Sequence, residues 1–448
     1  VFTTDAPTDA MATFRTDVLS RALPTVDAPF TKTDTFDNFC VYATTITLPD
    51  YQSGTEPFSM TGGDWQLDAS GKPVVQRTEK ANFRVTVPRV PMPANGYPLT
   101  VFIRTGGGGD RPLVDRGTQG CNACPPLVPG TGPAHFFAEV GIAGASVDGP
   151  HGGLRNITSG DEQFLMFNIG NGAALRDNVR ESALELILFA HILQGTTFSA
   201  SDCAGVGTTP VKFDMSKLAL MGHSMGSTIA PLVLAYEPMY RAAVLSGAGA
   251  SWIANIIYKL EPVQVANAFE LLLGYASMHR KIVANDPVCS LFQWAEEPAD
   301  PLVYNRRILE EPAMGESPRQ VLMEQGIVDH YIMPHIANAM SLSLGLDLAG
   351  TPLDSSAPEL ANDTPLASVL TYSGHKPIGL PASGNLMGAG GAPRTAIVIQ
   401  HPADGIEDGH EVVFQTEAPK HEYKCFLQSF LAGTPSVPNG GMADAACN

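Results

Sequence analysis

The chain is short of cations. Against 45 acidic residues stand 27 Lys and Arg, a formal charge of −18 over 448 residues. A nucleic-acid surface needs clustered Lys and Arg to displace counterions, and no basic cluster occurs, so that class of partner is excluded. Long apolar runs are missing too. Spanning a bilayer takes about 20 apolar residues in a row, and the best stretch, Ala183 to Leu193, is shorter and carries Glu185 and His191. Cysteine is sparse: seven residues are too few for a disulfide-built miniprotein and too scattered for a zinc framework. No internal repeat is present, which excludes solenoids and propellers.

What is present is a chain with 44% hydrophobic residues, 44 Gly and 36 Pro, enough to bury a large core. An acidic, lysine-poor, Gly- and Pro-rich surface is common among exported enzymes, although halophilic adaptation gives a similar balance. The sequence opens at Val1 without methionine or signal-peptide pattern, which reads as a start removed by processing or by design, and the expected compartment is secreted or periplasmic. There the cysteines would staple loops. Cys425 and Cys447 are the favoured pair, tying the irregular tail to the body. Cys121-Asn122-Ala123-Cys124 is the one C-x-x-C, and the following Pro125-Pro126 blocks the helix that activates a redox cysteine. A loop disulfide there, or separate bridges to Cys40 and Cys203, is expected instead. The odd count leaves at least one thiol free or bonded to another chain.

Residues 1–40 are rich in Thr, Asp, Ala and Pro without periodicity and read as an extended lead-in. Val41 to Leu48 and Asn82 to Val87 show β-branched alternation and predict antiparallel strands at one sheet edge. From Tyr97 on, strand-like and helix-like runs alternate, the pattern of a mostly parallel sheet flanked by helices. The strands fall at Leu99 to Arg104, Gly141 to Val147, Leu218 to Met221, Ala242 to Ser246, Val321 to Gln325 and Ala396 to Gln400. Leu175, Val179, Ala183, Leu186, Ala190 and Leu193 recur at helical spacing, with Arg176, Arg180, Glu181 and Glu185 opposite, predicting one amphipathic helix. Two stretches within the domain 41–448 exceed simple connections. Segment 251–318 is densely apolar and reads as a helical lid or an ordinary packed insertion, and 346–392 as a loop-rich surface excursion.

The chemistry concentrates at Gly222-His223-Ser224-Met225-Gly226, where the apolar run Leu218 to Met221 ends and a helical pattern begins at Thr228. A serine between strand and helix sits on a strained turn, and close packing there requires glycine on both sides. The start of the helix offers free N–H groups to an oxyanion. Such a nucleophile elbow resembles that of the serine α/β-hydrolases, and the resemblance runs from about Tyr97 to the C-terminus. The G-H-S-M-G form is similar to the elbows of lipases, cutinases and polyester-cleaving esterases, but Ser227 stands where cutinase-like elbows continue with glycine.

The resemblance implies an α/β-hydrolase fold and a triad in the order Ser, Asp or Glu, His. A serine hydroxyl needs such a base and an orienting carboxylate to attack an ester. Asp329, past the strand Val321 to Gln325, matches the family's acid; it could also simply cap the next helix. Asp300 and Glu324 are rivals. His410, in a loop beyond the last strand, matches the base, with His401 as rival; His223 reads as structural. One oxyanion donor is expected from Met225 and the other from Thr105-Gly106-Gly107-Gly108-Gly109, which resembles an H-G-G-G loop without its histidine. Thr105, Gly106 and Gly107 all stay open as the donor, with Gly106 and Gly107 preferred. A phosphate-binding loop is excluded because the Lys-Ser/Thr ending is missing. Asp148-Gly149-Pro150-His151-Gly152-Gly153 resembles a structural loop of related hydrolases, and no ligand cluster makes His151 a metal site.

The expected function is a carboxylic-ester hydrolase working through an acyl-enzyme on apolar acyl, aromatic or polyester substrates, with no cofactor and no metal. A peptidase or acyltransferase on the same fold is the alternative within this chemistry, although the short lead-in cannot hold the propeller such peptidases usually carry. A non-catalytic hydrolase-fold binding protein is the alternative of another class. Dehalogenase and epoxide-hydrolase chemistry would place Asp at the elbow, where Ser224 stands.

Overall fold

The computed structural model describes residues 6–107, 109–122, 127–313, 315–388 and 391–447. The chain forms two compact units, Val1–Gly117 with Leu127–Ala242, and Thr118–Pro126 with Ala243–Asn448.

The first unit contains strands β1 (Thr31–Thr35), β2 (Phe39–Asp50), β3 (Arg77–Pro88), β4 (Tyr97–Ile103), β5 (Ala143–Val147) and β6 (Phe213–His223). They lie in the order β1-β2-β3-β5-β4-β6. The first three pair antiparallel and β3 joins β5 antiparallel, whereas β5, β4 and β6 run parallel. The sequence explains the switch. The middle of β3 alternates buried and half-buried positions, while β4 and β5 are apolar or small nearly throughout and buried on both faces. The β4–β6 register sets Val101 beside Leu220 and Ile103 beside Gly222, so the two strands end together.

The expected lead-in is not simply extended. It holds helix α1 (Asp9–Leu19) and the edge strand β1. Met11, Phe14 and Val18 are buried, and Phe14 stacks on Trp65 with ring centroids 3.9 Å apart. Apolar spacing in α1 is diluted by Asp9, Thr13, Arg15 and Thr16, which is why the periodicity was faint.

Helix α2 (Gly172–Gly195) covers the amphipathic stretch, but its polar side is not solvated. Asp177, Arg180, Glu181 and Glu185 are all buried. Trp65 donates its backbone N–H to Asp177 and its indole N–H to Glu181, the Arg180 guanidinium lies 4.2 Å from the Trp65 ring, and Glu185 pairs with Arg155 at 2.7 Å. The charged side therefore faces a folded segment that supplies donors and cations in place of water.

The second unit contains β7 (Ala242–Ser246), β8 (Gln320–Ile327), β9 (Asp347–Ala349), β10 (Pro377–Ile378) and β11 (Ala396–Pro402), ordered β7-β8-β11-β9-β10. Strands β8, β11, β9 and β10 run parallel. The excursion expected at 346–392 is thus partly sheet, because β9 and β10 extend the parallel ladder at its edge. Segment 251–318 holds α4 (Trp252–Tyr258), α5 (Val265–Leu272) and α6 (Pro287–Glu296), following α3 (Met225–Tyr236) of the first unit. Helices α7 (Pro334–Leu344) and α8 (Glu417–Leu431) follow β8 and β11. Both units are therefore α/β, with antiparallel strands at one edge and parallel strands beside them in the first and a parallel ladder from β8 to β10 in the second, and the turns after β6, β8 and β11 carry the candidate triad in the order of the α/β-hydrolase fold.

Cys425–Cys447 is bridged as expected. Cys40 and Cys203 are bonded to each other and not to the C-x-x-C. Cys121 is disulfide-bonded, and Cys124 lies outside the described residues. Cys289 is a buried free thiol. Among the described residues no helix is long and apolar enough to cross a membrane.

Candidate active site

In the first unit, β6 delivers Ser224 onto a turn with φ 54° and ψ −119°, and α3 begins at Met225. That backbone is costly for a residue with a Cβ, about 1–3 kcal/mol, and such strain collects where a side chain must be aimed. The neighbours hold it. A Cβ on Gly222 would sit 2.7 Å from the Gly226 carbonyl oxygen, and one on Gly226 would sit 3.0 Å from the carbonyl oxygens of both Ile103 and Arg104. Ser227, which departs from the cutinase-like pattern, donates its hydroxyl to Gly222 O at 2.8 Å and locks the turn from inside. Met225 is the first helical residue, so its N–H has no intrahelical acceptor.

The glycine loop follows β4. Gly107 donates its N–H to Thr105 O at 2.7 Å, and the Thr105 hydroxyl donates to Gly107 O at 3.1 Å while accepting from Arg116 at 3.1 Å. The Gly107 N–H thus closes a turn within the loop itself. Thr105, Gly106 and Gly107 stay candidates for the second oxyanion donor, and Gly108 lies outside the described residues. Below the loop, Arg104 is buried, pairs with Glu162 and donates to Pro150 O, so β4 ends on a fixed anchor.

In the second unit, Asp329 and His410 come together. His410 Nδ1 lies 2.8 Å from Asp329 Oδ2, and both residues are buried. Asp329 Oδ1 accepts the N–H groups of Tyr331 at 2.9 Å and Ile332 at 2.6 Å. Burial pushes the Asp329 carboxyl up, but the charge and hydrogen bond of His410, the Ile332 N–H and the Lys259 ammonium outweigh it, leaving the group below the ordinary carboxylate range. An ionised carboxylate only accepts, so Nδ1 carries the imidazole hydrogen and Nε2 keeps its lone pair. That is the tautomer a general base requires.

Two glycines let the strand end and the histidine loop meet. A Cβ on Gly326 would overlap the Gly409 carbonyl oxygen at 1.7 Å, and one on Gly409 would reach the Val328 carbonyl oxygen at 2.2 Å. Gly409 donates its N–H to Val328 O at 3.1 Å. Asp408 caps the short turn by accepting from His410 N–H at 2.8 Å, and its other oxygen meets His330 Nδ1 at 2.6 Å.

Several supporting residues escaped the sequence. Tyr331 stacks on the His410 ring at 4.7 Å and 17°. Lys259, at the end of α4, donates to Tyr331 O at 2.7 Å, and burial, partly countered by the Asp329 charge, lowers its ammonium to about 8. Leu260 and Glu261 also donate their N–H groups to His330 O at 3.2 and 3.0 Å, so the start of the insertion braces the acid's loop. A single lysine in an apolar stretch gives no sequence signal, but the Asp408-Gly409-His410 spacing is that of an Asx cap and was readable.

The rivals have other partners. Asp300 is fully buried and accepts from Ser251 N, Trp252 N, Leu302 N and Gln293 Nε2 at 2.7–3.0 Å, a structural junction in the insertion. Glu324 and His401 point together into the interior beside Glu422. His223 ends β6 fully buried. Asp148 accepts from Asn82 N and Leu154 N at 2.9 and 3.0 Å, consistent with a structural loop.

No family model and no curated protein matches the chain. Solved structures similar to it include acetyl xylan esterase 1 from Thermoanaerobacterium sp. JW/SL YS485, at 13% identity over 75% of this chain and 82% of that one, TM-score 0.42. Acetyl xylan esterase from Paenibacillus sp. R4 matches at 11% identity over 75% and 82%, TM-score 0.43. Pyrococcus horikoshii acylaminoacyl peptidase matches at 9% identity over 94% of this chain and 51% of that one, TM-score 0.40. Likeness at this level assigns no substrate.

Proposed function

We propose that this protein is a serine carboxylic-ester hydrolase in which Ser224 is the nucleophile, His410 the base and Asp329 the orienting acid. The observation that carries the reading is Ser224 at φ 54° on a strand-to-helix turn inside G-x-S-x-G. The His410–Asp329 hydrogen bond supports it, because the pair has the tautomer that takes a serine proton. His410 Nε2 removes the Ser224 proton as Oγ attacks the ester carbonyl. The N–H groups of Met225 and Gly106 receive the oxyanion, the alcohol leaves with the proton from His410, and water repeats the sequence to release the acid.

Support for apolar acyl, aromatic or polyester substrates comes from the insertion. Leu271, Leu272, Met278, Leu291 and Trp294, all within the insertion, are each at least 60% exposed, an apolar surface suited to apolar substrates. The disulfides Cys40–Cys203 and Cys425–Cys447 fit an oxidising compartment, secreted or periplasmic.

The test is hydrolysis of p-nitrophenyl esters from acetate to long acyl chains by the protein and its Ser224→Ala variant. Turnover that vanishes in the variant is expected, and the chain-length optimum separates esterase from lipase. A folded protein inactive on every ester but active on peptide or acyl-transfer substrates would replace the ester reading; inactivity on all of them would leave a binding protein.

A further inference from the structure

The sheet of the second unit hides a second set of chemically capable groups. In β8, Leu322, Glu324 and Gly326 lie on one face, and the parallel register places Glu324 beside Ile399 and Gly326 beside His401 of β11. Glu324 and His401 are therefore diagonal neighbours on that face, and Glu422 of α8 comes down upon them. His401 Nε2 lies 3.1 Å from Glu422 Oε2, and one ligating atom from each of the three residues lies within 4.8 Å of the others. All three are buried, at 0%, 4% and 2% exposure for Glu324, His401 and Glu422.

The hydrogen bonding is what singles this cluster out. Neither oxygen of Glu324 has a hydrogen-bond donor, and neither His401 Nε2 nor Glu422 Oε2 forms a hydrogen bond. Glu422 uses its other oxygen to accept from Gly440 N–H at 3.1 Å. By contrast, Asp300, equally buried in the same unit, accepts from four donors. A buried ionised carboxylate without a partner costs several kcal/mol, and here its charged neighbour is a second carboxylate. Burial and Glu422 together drive the Glu324 carboxyl well above its ordinary range.

We propose that Glu324, His401 and Glu422 bind a divalent transition-metal ion of the Zn²⁺ class as a structural pin. A +2 ion neutralises the two carboxylates, uses the imidazole nitrogen as a neutral ligand, and takes one donor atom from each of the three residues among the four atoms that form no hydrogen bond. Zn²⁺ with ligand bonds of about 2.0–2.2 Å spaces its donors roughly 3.4 Å apart in a tetrahedron, close to the His401–Glu422 separation. Mixed nitrogen and carboxylate ligation favours such an ion over Ca²⁺, which takes six to eight oxygens. The ion would join β8, β11 and α8. Glu324 precedes Asp329 by five residues and His401 precedes His410 by nine, so the pin would clamp the strands that carry the acid and base.

The test does not depend on the ester-hydrolase reading. The full chain, purified without chelator, is assayed for bound metal, then stripped with a chelator and titrated with ZnCl₂ by calorimetry, both directly and after refolding from urea with Zn²⁺. One equivalent per chain and a melting temperature that falls on stripping and recovers with Zn²⁺ are expected. Glu324→Gln, a neutral isostere, should bind that equivalent more than about 100-fold more weakly, beyond what outer-shell changes cost. Zn²⁺ uptake equal in the two proteins would place the metal on surface histidines and overturn the proposal. So would absence of a tight equivalent in the wild type, which would make Glu324 a buried neutral acid.

Discussion

Replacing Asp329 by Asn tests the candidate pair most sharply, because the structure dictates which way the amide must face. Asp329 Oδ1 accepts two backbone N–H groups, from Tyr331 and Ile332. An NH₂ group at that position would oppose two donors and leave both unpaired, at roughly 1–3 kcal/mol each. The amide oxygen therefore stays on the backbone and the NH₂ turns to His410 Nδ1. Nδ1 must then accept, which moves the imidazole hydrogen to Nε2 and removes the lone pair needed for the Ser224 proton. Stabilisation of the developing imidazolium is lost with it. In serine hydrolases this change costs about 10⁴ in kcat, or roughly 5.5 kcal/mol. The assay is kcat and KM on p-nitrophenyl butyrate, with the melting temperature followed in parallel and the imidazole tautomer read by ¹⁵N NMR. The expected outcome is a loss concentrated in kcat, an Nε2–H tautomer and a folded protein. A folded variant within tenfold of wild-type kcat would refute the assignment of Asp329.

Gly409→Ala should destabilise the protein by about 3 kcal/mol or more, because its Cβ meets the Val328 carbonyl oxygen at 2.2 Å, whereas Gly195→Ala, with nothing within 4 Å, should be tolerated; urea unfolding compares them. His151 is buried, and burial, reinforced by the Arg104 and Arg155 charges, lowers its imidazole to about 4. The unfolded chain takes up that proton near pH 6.5 and the folded one does not, so this contribution is complete above pH 6.5 and lost as pH falls towards 4. The slope amounts to about 3 kcal/mol, and unfolding of His151→Gln at pH 7.5, 5.5 and 4.5 should show it flattened; parallel slopes would count against it. Leu271→Ser with Leu272→Ser should raise the apparent KM for dispersed long-chain esters at least tenfold and leave soluble acetate esters unchanged, since about 1.5–3 kcal/mol of apolar burial per leucine is at stake. Equal effects on both substrates would separate that surface from substrate capture.

The strands were legible wherever both faces are buried. Leu99 to Arg104, Leu218 to Met221 and Ala396 to Gln400 are largely apolar runs of strand length, and each coincides with a strand, the first ending at Ile103. Ser224, Asp329 and His410 became candidates because each follows such a run. The misses have physical causes. Helix α1 draws its order from Trp65, far along the chain, so no local window reveals it. Strands β9 and β10 are three and two residues long and exist by pairing, β9 with β11 and β10 with β9, not by propensity. Charge spacing on α2 reports amphipathicity, but it cannot say whether the polar side meets water or protein.

That last ambiguity bears on how the chain can be cut and rebuilt. Residues 9–67 act as the local solvent of α2: they solvate Asp177, Glu181 and Arg180 through Trp65. Deleting them to obtain a minimal catalytic fragment would trade this fixed dipolar environment for bulk water on one side and leave Trp65's apolar partners bare. A tag or fusion partner attached ahead of α1 keeps the arrangement. One inserted between α1 and Trp65 competes with the segment for its helix.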